Sequence, residues 1–474
     1  MQLALNHPKG LYYLFFAEMW ERFSYYGMRV LLVLFMTQEL LLGDKKAYLV
    51  YGAFTAFVYM TTVMGGYLAD KYLGYVNAVK IGGWVIMAGH IVLALPSSAP
   101  VALYTGLAFI IVGTGFFKSN ISAMVGILYP EGDNRRDSGF TLYYMGVNLG
   151  SFLASLIVAA VGSYLGWHYG FSLAAIGMAC GMITFSRAEK KAVFPIRAQT
   201  LQGAAKYVIA GSLVSIILFV WLLANVSATK TILAVFGIVV LVYFIGKALL
   251  SPAAERKAIL YVLFLSFISM MFWASFEQAG SSLFLFIERM VDREALGIVI
   301  PTGNFKSLNP LFIILFAPLV AWLWSKLPPL GALSKFGLAL LLISAGFMVF
   351  ALGAESAMGG VKVSILIIVI GYFLNTMGEI CLSPVGLSEI SRVSPPKIVG
   401  MMFGGWFLAT AFANYLAGLM ATHASIEKDT PLHLAAGIYH ELFAGIALST
   451  AISGTVVLLI AMITKIIRRQ KVGG

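Results

Sequence analysis

Four charges occupy a stretch that is otherwise apolar. In AEMWERFSYYGMR, residues 17–29, Glu18, Glu21, Arg22 and Arg29 surround Tyr25 and Tyr26. On a helix of about 100° per residue with Glu18 at the origin, Tyr25 falls near −20°, Arg29 near +20°, Arg22 near +40° and Glu21 near −60°. One face of roughly 100° therefore carries all five. A charge at the centre of a bilayer costs on the order of 3 kcal/mol even on the lenient insertion scale. The set must face a partner helix or a water-filled cavity. A buried ion-pair cluster that only orients helices would satisfy this, and so would a pathway for protons and anions. The surplus of groups over what one packing pair needs favours the pathway.

The elements that must hold this face are transmembrane helices. The chain has 474 residues, 60% of them hydrophobic and 11% charged, with a mean hydropathy of +0.91. So much apolar surface excludes an ordinary soluble globular protein and implies a polytopic membrane protein. Apolar runs long enough to span a bilayer lie near 11–42, 47–70, 76–95, 101–129, 138–165 and 168–186. Two more lie near 201–224 and 231–250, and a last set near 258–288, 307–326, 332–353, 362–389, 398–422 and 436–465. The first run is too long and too charged for a short cleavable signal. Alternating these fourteen spans from an inside N-terminus puts 21 of the 32 lysines and arginines in cytoplasmic segments and eight outside. Arg22, Arg29 and Lys118 remain in the membrane. This asymmetry predicts cytoplasmic N- and C-termini. The net charge of +12 follows from the loops, so it points to lipid and not to nucleic acid. Cys180 and Cys381 lie far apart in apolar runs, and neither a disulfide framework nor a metal site is implied. Three segments follow: a bundle of six helices over 1–187, a linker with two extra helices over 188–254, and a second six-helix bundle over 255–474.

Several further stretches carry polar residues within spans, and their order along the chain resembles a known family. EMWERFSYYG (18–27) is similar to the first-span signature of the proton-dependent oligopeptide transporters, a branch of the major facilitator superfamily, and the sequence resembles their bacterial type. GGYLADKYLG (65–74), GTGFFKSNISAMVG (113–126) and FTLYYMGVNLGS (140–151) resemble that family's motifs in the second-to-third loop and in the fourth and fifth spans. FWASFEQAGSS (272–282), GEICLSPVGLS (378–388) and GGWFLATAFANYLAG (404–418) look like its seventh, tenth and eleventh spans. The resemblance implies an all-α major facilitator fold of two six-helix bundles plus two extra helices. It also implies import of di- and tripeptides by proton symport and alternating access, with no cofactor beyond the proton gradient and no obligate protein partner. The location it implies is the bacterial inner membrane. As a latch between conformations it implies Asp70, for which a solvated loop acid is the plainer alternative.

Physical chemistry assigns similar roles. A short peptide is a zwitterion, so a cavity for it needs separated cations and anions, amides and adaptable aromatic walls. Arg29 and Lys118 supply positive charge for the carboxylate, and Glu379 supplies an anion for the amine. Asn148 and Asn309 offer amide donors and acceptors, although Asn309 before Pro310 could instead cap a helix kink. Tyr25, Tyr26, Tyr59, Trp273 and Trp406 provide amphipathic walls; packing or interface anchoring is the alternative for the tryptophans. Proton coupling falls to Glu18, Glu21 and Glu277, with Arg22 and Lys118 as charge partners. At the outer rim Glu288 and Arg289 are expected to pair with Lys45 or Lys46 as a gate. The second span lacks the histidine that mammalian relatives use in coupling, and His90 on the third span is read as a satisfied packing residue. Ser119 stands where relatives often have proline. Drug or nitrate transport, a peptide sensor and a membrane enzyme are the competing functions. The enzyme lacks any nucleophile–base pair or metal-ligand spacing in the extramembrane segments.

Overall fold

Apolar helices in lipid gain little by hiding apolar surface from one another, so they associate through close fit and small residues. Glycine, 48 of 474 residues, supplies much of that fit here. The structure is a computed structural model that describes residues 7–130, 133–198, 203–295, 297–326, 330–395, 398–427 and 430–472. Of residues 204 and 468–472 it describes the backbone alone.

The chain folds into α1 (Lys9–Leu34), α2 (Asp44–Leu68), α3 (Tyr75–Ala94), α4 (Pro100–Ile127), α5 (Arg136–Tyr164) and α6 (Trp167–Lys190). Then come α7 (Ala204–Ala224), α8 (Val226–Leu250), α9 (Ala253–Phe276) and α10 (Ser282–Met290). The last five are α11 (Leu308–Lys326), α12 (Ala332–Met358), α13 (Ile365–Val393), α14 (Val399–Ala421) and α15 (Leu432–Val472). A two-stranded hairpin pairs Glu294–Ala295 with Ile298–Val299. Among the described residues thirteen helical stretches are long and apolar enough to cross a membrane, α9 and α10 counting as one. With 26 residues α1 is also long enough, and only its charges keep it out of that set. All fourteen expected spans are therefore helices.

The seventh span departs from the single helix that its hydropathy predicts. It breaks over a 3₁₀ turn, Glu277–Gly280, between α9 and α10. Gln278 occupies the break and is fully buried. Its amide nitrogen donates to the carbonyls of Ala274 (3.1 Å) and Ala417 (3.0 Å), and its oxygen accepts from Ser282 (2.6 Å) and Ser281 (3.4 Å). One side chain thus uses two donors and two acceptor positions to hold open helical backbone that lipid would not tolerate.

Two compact units emerge from the packing. The first comprises Met1–Leu42, Ala53–Val226 and Pro301–Leu311; the second comprises Gly43–Gly52, Ser227–Ile300 and Phe312–Gly474. In the first unit α1 is clasped by α5 and α6 through glycines. A Cβ at Gly150 would meet the Met19 carbonyl, Gly146 abuts Phe15, Gly177 abuts Phe23, and Gly181 faces the Ala17 carbonyl. Between α2 and α4, Gly65 lies against the Gly115 backbone, Thr61 donates to the Ile111 carbonyl at 3.0 Å, and Asn120 donates to Gly65 at 3.3 Å. α4 runs unbroken through Ser119, which keeps the backbone N–H that proline would remove. His90 on α3 is fully buried, and among the described residues neither ring nitrogen has a hydrogen-bond partner. It packs, but it is not satisfied. In the loop before α5, Arg135 beside Asp133 (2.7 Å) holds that carboxyl down at about 2, so the pair survives any physiological pH. The second unit joins α12 to α15 by Ser344 donating to the Ala447 carbonyl at 2.7 Å and by Gly337 against Gly454.

Gly150→Val puts a branched side chain onto the Met19 carbonyl. Overpacking of this kind costs roughly 1–3 kcal/mol, so the variant should melt several degrees below wild type in detergent. Gly400→Val, at a helical position with open space around it, is the control and should leave the melting temperature nearly unchanged.

Candidate functional site

On α1 the face anticipated from sequence is buried. Arg22 Nε lies 3.1 Å from Glu18 Oε1 and forms an ion pair with Glu21 as well. Glu18, Glu21 and Arg22 are all buried, Glu21 completely. Among the described residues the second oxygen of Glu18 and Arg22 Nη2 have no hydrogen-bond partner. Two carboxylates thus share one guanidinium. The next cation is Lys118 of α4, which lies within electrostatic reach of Glu18, Glu21, Arg22 and Tyr26. Its ammonium sits 4.1 Å over the ring of Tyr59 from α2, a favourable cation–π geometry. The α2–α4 contacts at Thr61, Gly65 and Asn120 fix this height of α4, and so place Lys118. Tyr143 of α5 faces Glu18 and shares a 3.2 Å hydrogen bond with Ser122 of α4.

Two turns further along α1, Arg29 is buried with its guanidinium 5.5 Å from the Tyr25 ring and 5.9 Å from the Tyr26 ring. Arg22 approaches Tyr25 to 5.2 Å, so one tyrosine separates the two arginines. The spacings of three and four residues produce this stack directly. Tyr25 also lies against Phe54 of α2, 6.3 Å between ring centroids. Asn148 of α5 is buried and donates to the Tyr144 carbonyl at 3.0 Å. Asn309 lies in the first turn of α11. Pro310 follows it, just after the 3₁₀ stretch Thr302–Ser307 passes into α11.

In the second unit Glu277 opens the 3₁₀ break after α9, one turn beyond Trp273. Trp273 packs edge-on to Phe272 and Phe276, at 5.6 and 5.2 Å. Glu379 is buried on α13. Trp406 of α14 is buried, with its ring against Gly386 of α13 and Phe336 of α12.

The rim is arranged differently from the expected Glu288 or Arg289 pairing with Lys45 or Lys46. Arg289 instead forms a bidentate pair with Asp44, at 2.6 and 2.8 Å. Asp44 is buried and also accepts the Ile426 backbone N–H at 3.1 Å. Glu288 pairs with Arg293 at 3.2 Å, while Lys45 and Lys46 are exposed. A short carboxylate at the start of α2 reaches the guanidinium fork that two long lysines of like charge cannot. Asp70 is exposed in the π-helical turn Ala69–Leu73 that ends α2, and it lies within hydrogen-bond reach of Tyr75.

The structure therefore gathers Glu18, Glu21, Arg22, Lys118, Tyr26 and Tyr59 into one electrostatic cluster, with Arg29 and Tyr25 stacked beside it. Sequence reasoning missed Tyr143, Gln278 and Asp44. For Gln278 a signal existed, a large amide in an apolar run beside Glu277. Among the described residues no group of three or more metal-ligating side chains is gathered.

Comparison with known proteins gives an independent result. A family model described as the POT family matches residues 76–432. A peptide transporter of Yersinia enterocolitica is 36% identical over 456 residues, 89% of each chain. A dipeptide and tripeptide permease of Pectobacterium carotovorum is 31% identical over 464 residues, 97% of this chain and 92% of that one. Among solved structures, a variant peptide transporter in complex with alafosfalin superposes with a TM-score of 0.86 at 35% identity, covering 97% and 95% of the two chains.

Removing Arg22 leaves two buried carboxylates without their shared cation. Breaking a buried pair in this way costs about 3–5 kcal/mol. Arg22→Gln should therefore melt far below wild type, and the triple variant Glu18→Gln/Glu21→Gln/Arg22→Gln should recover most of the loss. Thermal unfolding in detergent reads both.

Proposed function

The chain belongs to the POT family, a family of multi-pass membrane transporters and not enzymes, and from that premise we propose that it imports di- and tripeptides by proton symport. The observation that carries the proposal is the buried cluster in which Glu18 and Glu21 share Arg22, with Lys118 in reach. A zwitterionic peptide fits the charge distribution. Arg29 and Lys118 take its carboxylate and Glu379 its amine, with Asn148 and Asn309 on the peptide backbone. Tyr25, Tyr26, Tyr59, Trp273 and Trp406 form walls that accept varied side chains.

Coupling follows from the shortage of cations. A carboxylate next to a cation stays ionised, and one that loses its cation in a dry environment takes up a proton. When the peptide carboxylate draws on Lys118 and Arg29, less positive charge is left for Glu21 and Glu18. Protonation of Glu21 and Glu277 then travels with the peptide through alternating access. The Asp44–Arg289 pair, in place of one with Lys45 or Lys46, and Asp70 serve as gates at opposite ends of α2. The lysine and arginine distribution supports cytoplasmic termini, and the bacterial relatives support a bacterial inner-membrane location.

The test is uptake of labelled dialanine into liposomes carrying the purified protein. An inward proton gradient should drive accumulation several-fold above equilibrium, with trialanine competing and free alanine not. Arg29→Gln, Lys118→Gln and Glu379→Gln should each remove most of that uptake. Flux of nitrate or of drugs without peptide flux, from correctly reconstituted protein, would contradict the proposal.

A further inference from the structure

α6 ends in a turn that folds the chain back on itself. Ala192 N–H donates to the Glu189 carbonyl at 2.9 Å and Val193 N–H to the Ala188 carbonyl at 3.3 Å, with Ala192 at a φ of +50°. This is a Schellman-type cap. Beyond it Phe194 is buried with its ring 5.3 Å from that of Phe185. Val193 and Ile196 join the same core of the first unit, so the returning segment is held firmly against the helix end.

A cavity of about 410 Å³ opens between the helix end and this segment, lined by Glu189, Lys190, Arg197, Ala192, Phe194 and Ile196. That volume lies in the range of small-ligand sites. Its charges are unequally committed. Glu189 is engaged by Lys80, at 2.9 and 3.0 Å, and neighbouring Lys191 donates to the Tyr13 hydroxyl at 3.0 Å. Lys190 and Arg197 are not so engaged, with no hydrogen bond or ion pair to any described residue, and Arg197 is exposed. The cavity thus has a cationic mouth over an apolar floor, and it sits where the membrane-spanning stretch Trp167–Lys190 ends. An ordinary solvated loop lysine has neither the concavity nor the apolar floor.

We propose that this cavity binds the phosphate of an anionic phospholipid from the adjacent leaflet. Arg197 offers a planar fork and Lys190 a point charge to the phosphate oxygens. Phe194 and Ile196 meet the glycerol and the first methylenes of the acyl chains. Free phosphate shares the anionic chemistry but would leave the apolar floor unused. The proposal does not depend on which substrate the protein carries. Because α6 packs on α1 at Gly177 and Gly181, lipid bound at its end stabilises the helix pair that holds the charged cluster.

Thermal unfolding in detergent, titrated separately with phosphatidylglycerol, phosphatidylcholine and inorganic phosphate, tests this. Phosphatidylglycerol should raise the melting temperature saturably, and phosphatidylcholine should not. In Lys190→Gln/Arg197→Gln the half-maximal phosphatidylglycerol concentration should rise at least tenfold. The charge-matched Lys247→Gln/Lys257→Gln, at residues that do not line the cavity, should respond like wild type. An equal response in both double variants would overturn the site. A shift reproduced by inorganic phosphate would overturn its assignment to lipid. Should the double variant fail to fold, native mass spectrometry of Arg197→Gln decides instead: reduced phosphatidylglycerol adducts support the site, and undiminished adducts refute it.

Discussion

One guanidinium stands between two buried carboxylates, and the charge it cannot cancel governs this molecule. Arg22 neutralises one of Glu18 and Glu21 but not both. With an effective dielectric of about 20, a unit charge 4 Å away is worth about 4 kcal/mol. The nearby Lys118 is therefore no detail: whether its charge is available decides which form of the cluster is stable. An anion arriving at Lys118 or Arg29 competes for the cations that keep the carboxylates ionised. In the proposed mechanism, that competition links peptide to proton without any moving part at the cluster itself.

Such a cluster keeps its geometry only if its helix is held tightly. The chain achieves this by bringing backbones into contact along α1. Gly150, Gly146, Gly177 and Gly181 let α5 and α6 approach it, and the NLGS stretch that ends with Gly150 and Ser151 thereby serves packing as well as the site. Asn148, two residues before Gly150, is carried on the same helix. The α2–α4 contacts do the same for Lys118 and Tyr59. Where a span is broken, as at Glu277–Gly280, the exposed backbone polarity is answered by Gln278 and two serines. His90 differs from these groups: among the described residues neither of its ring nitrogens has a hydrogen-bond partner.

What could be read in advance follows from what is costly. A charge in a lipid-facing run is expensive, so Glu18, Glu21, Arg22, Arg29 and Lys118 announced themselves by residue type alone. Hydropathy marked the fourteen spans, because length and apolarity are properties of contiguous sequence. Long-range pairing is not contiguous, and there the sequence was silent. Gln278 bonds to a carbonyl 139 residues away, and Asp44 to an arginine 245 residues away. Asp44 was further hidden by Lys45 and Lys46, which look like the natural partners of Glu288 until the fold places them outward. The break in the seventh span was half legible: Glu277, Gln278, Gly280, Ser281 and Ser282 interrupt the apolar run, but the long-range bond from Gln278 to the Ala417 carbonyl could not be read.

The most direct test of the central claim is proton flux measured with peptide flux in the same liposomes. A pH-sensitive dye trapped inside would report acidification when dialanine is added outside, for wild type and for Glu21→Gln. Peptide-dependent acidification is predicted in wild type and none in the variant, with peptide counterflow retained in both. Undiminished acidification by Glu21→Gln would contradict the shared-arginine mechanism, because the proton would then be carried by a group outside that cluster.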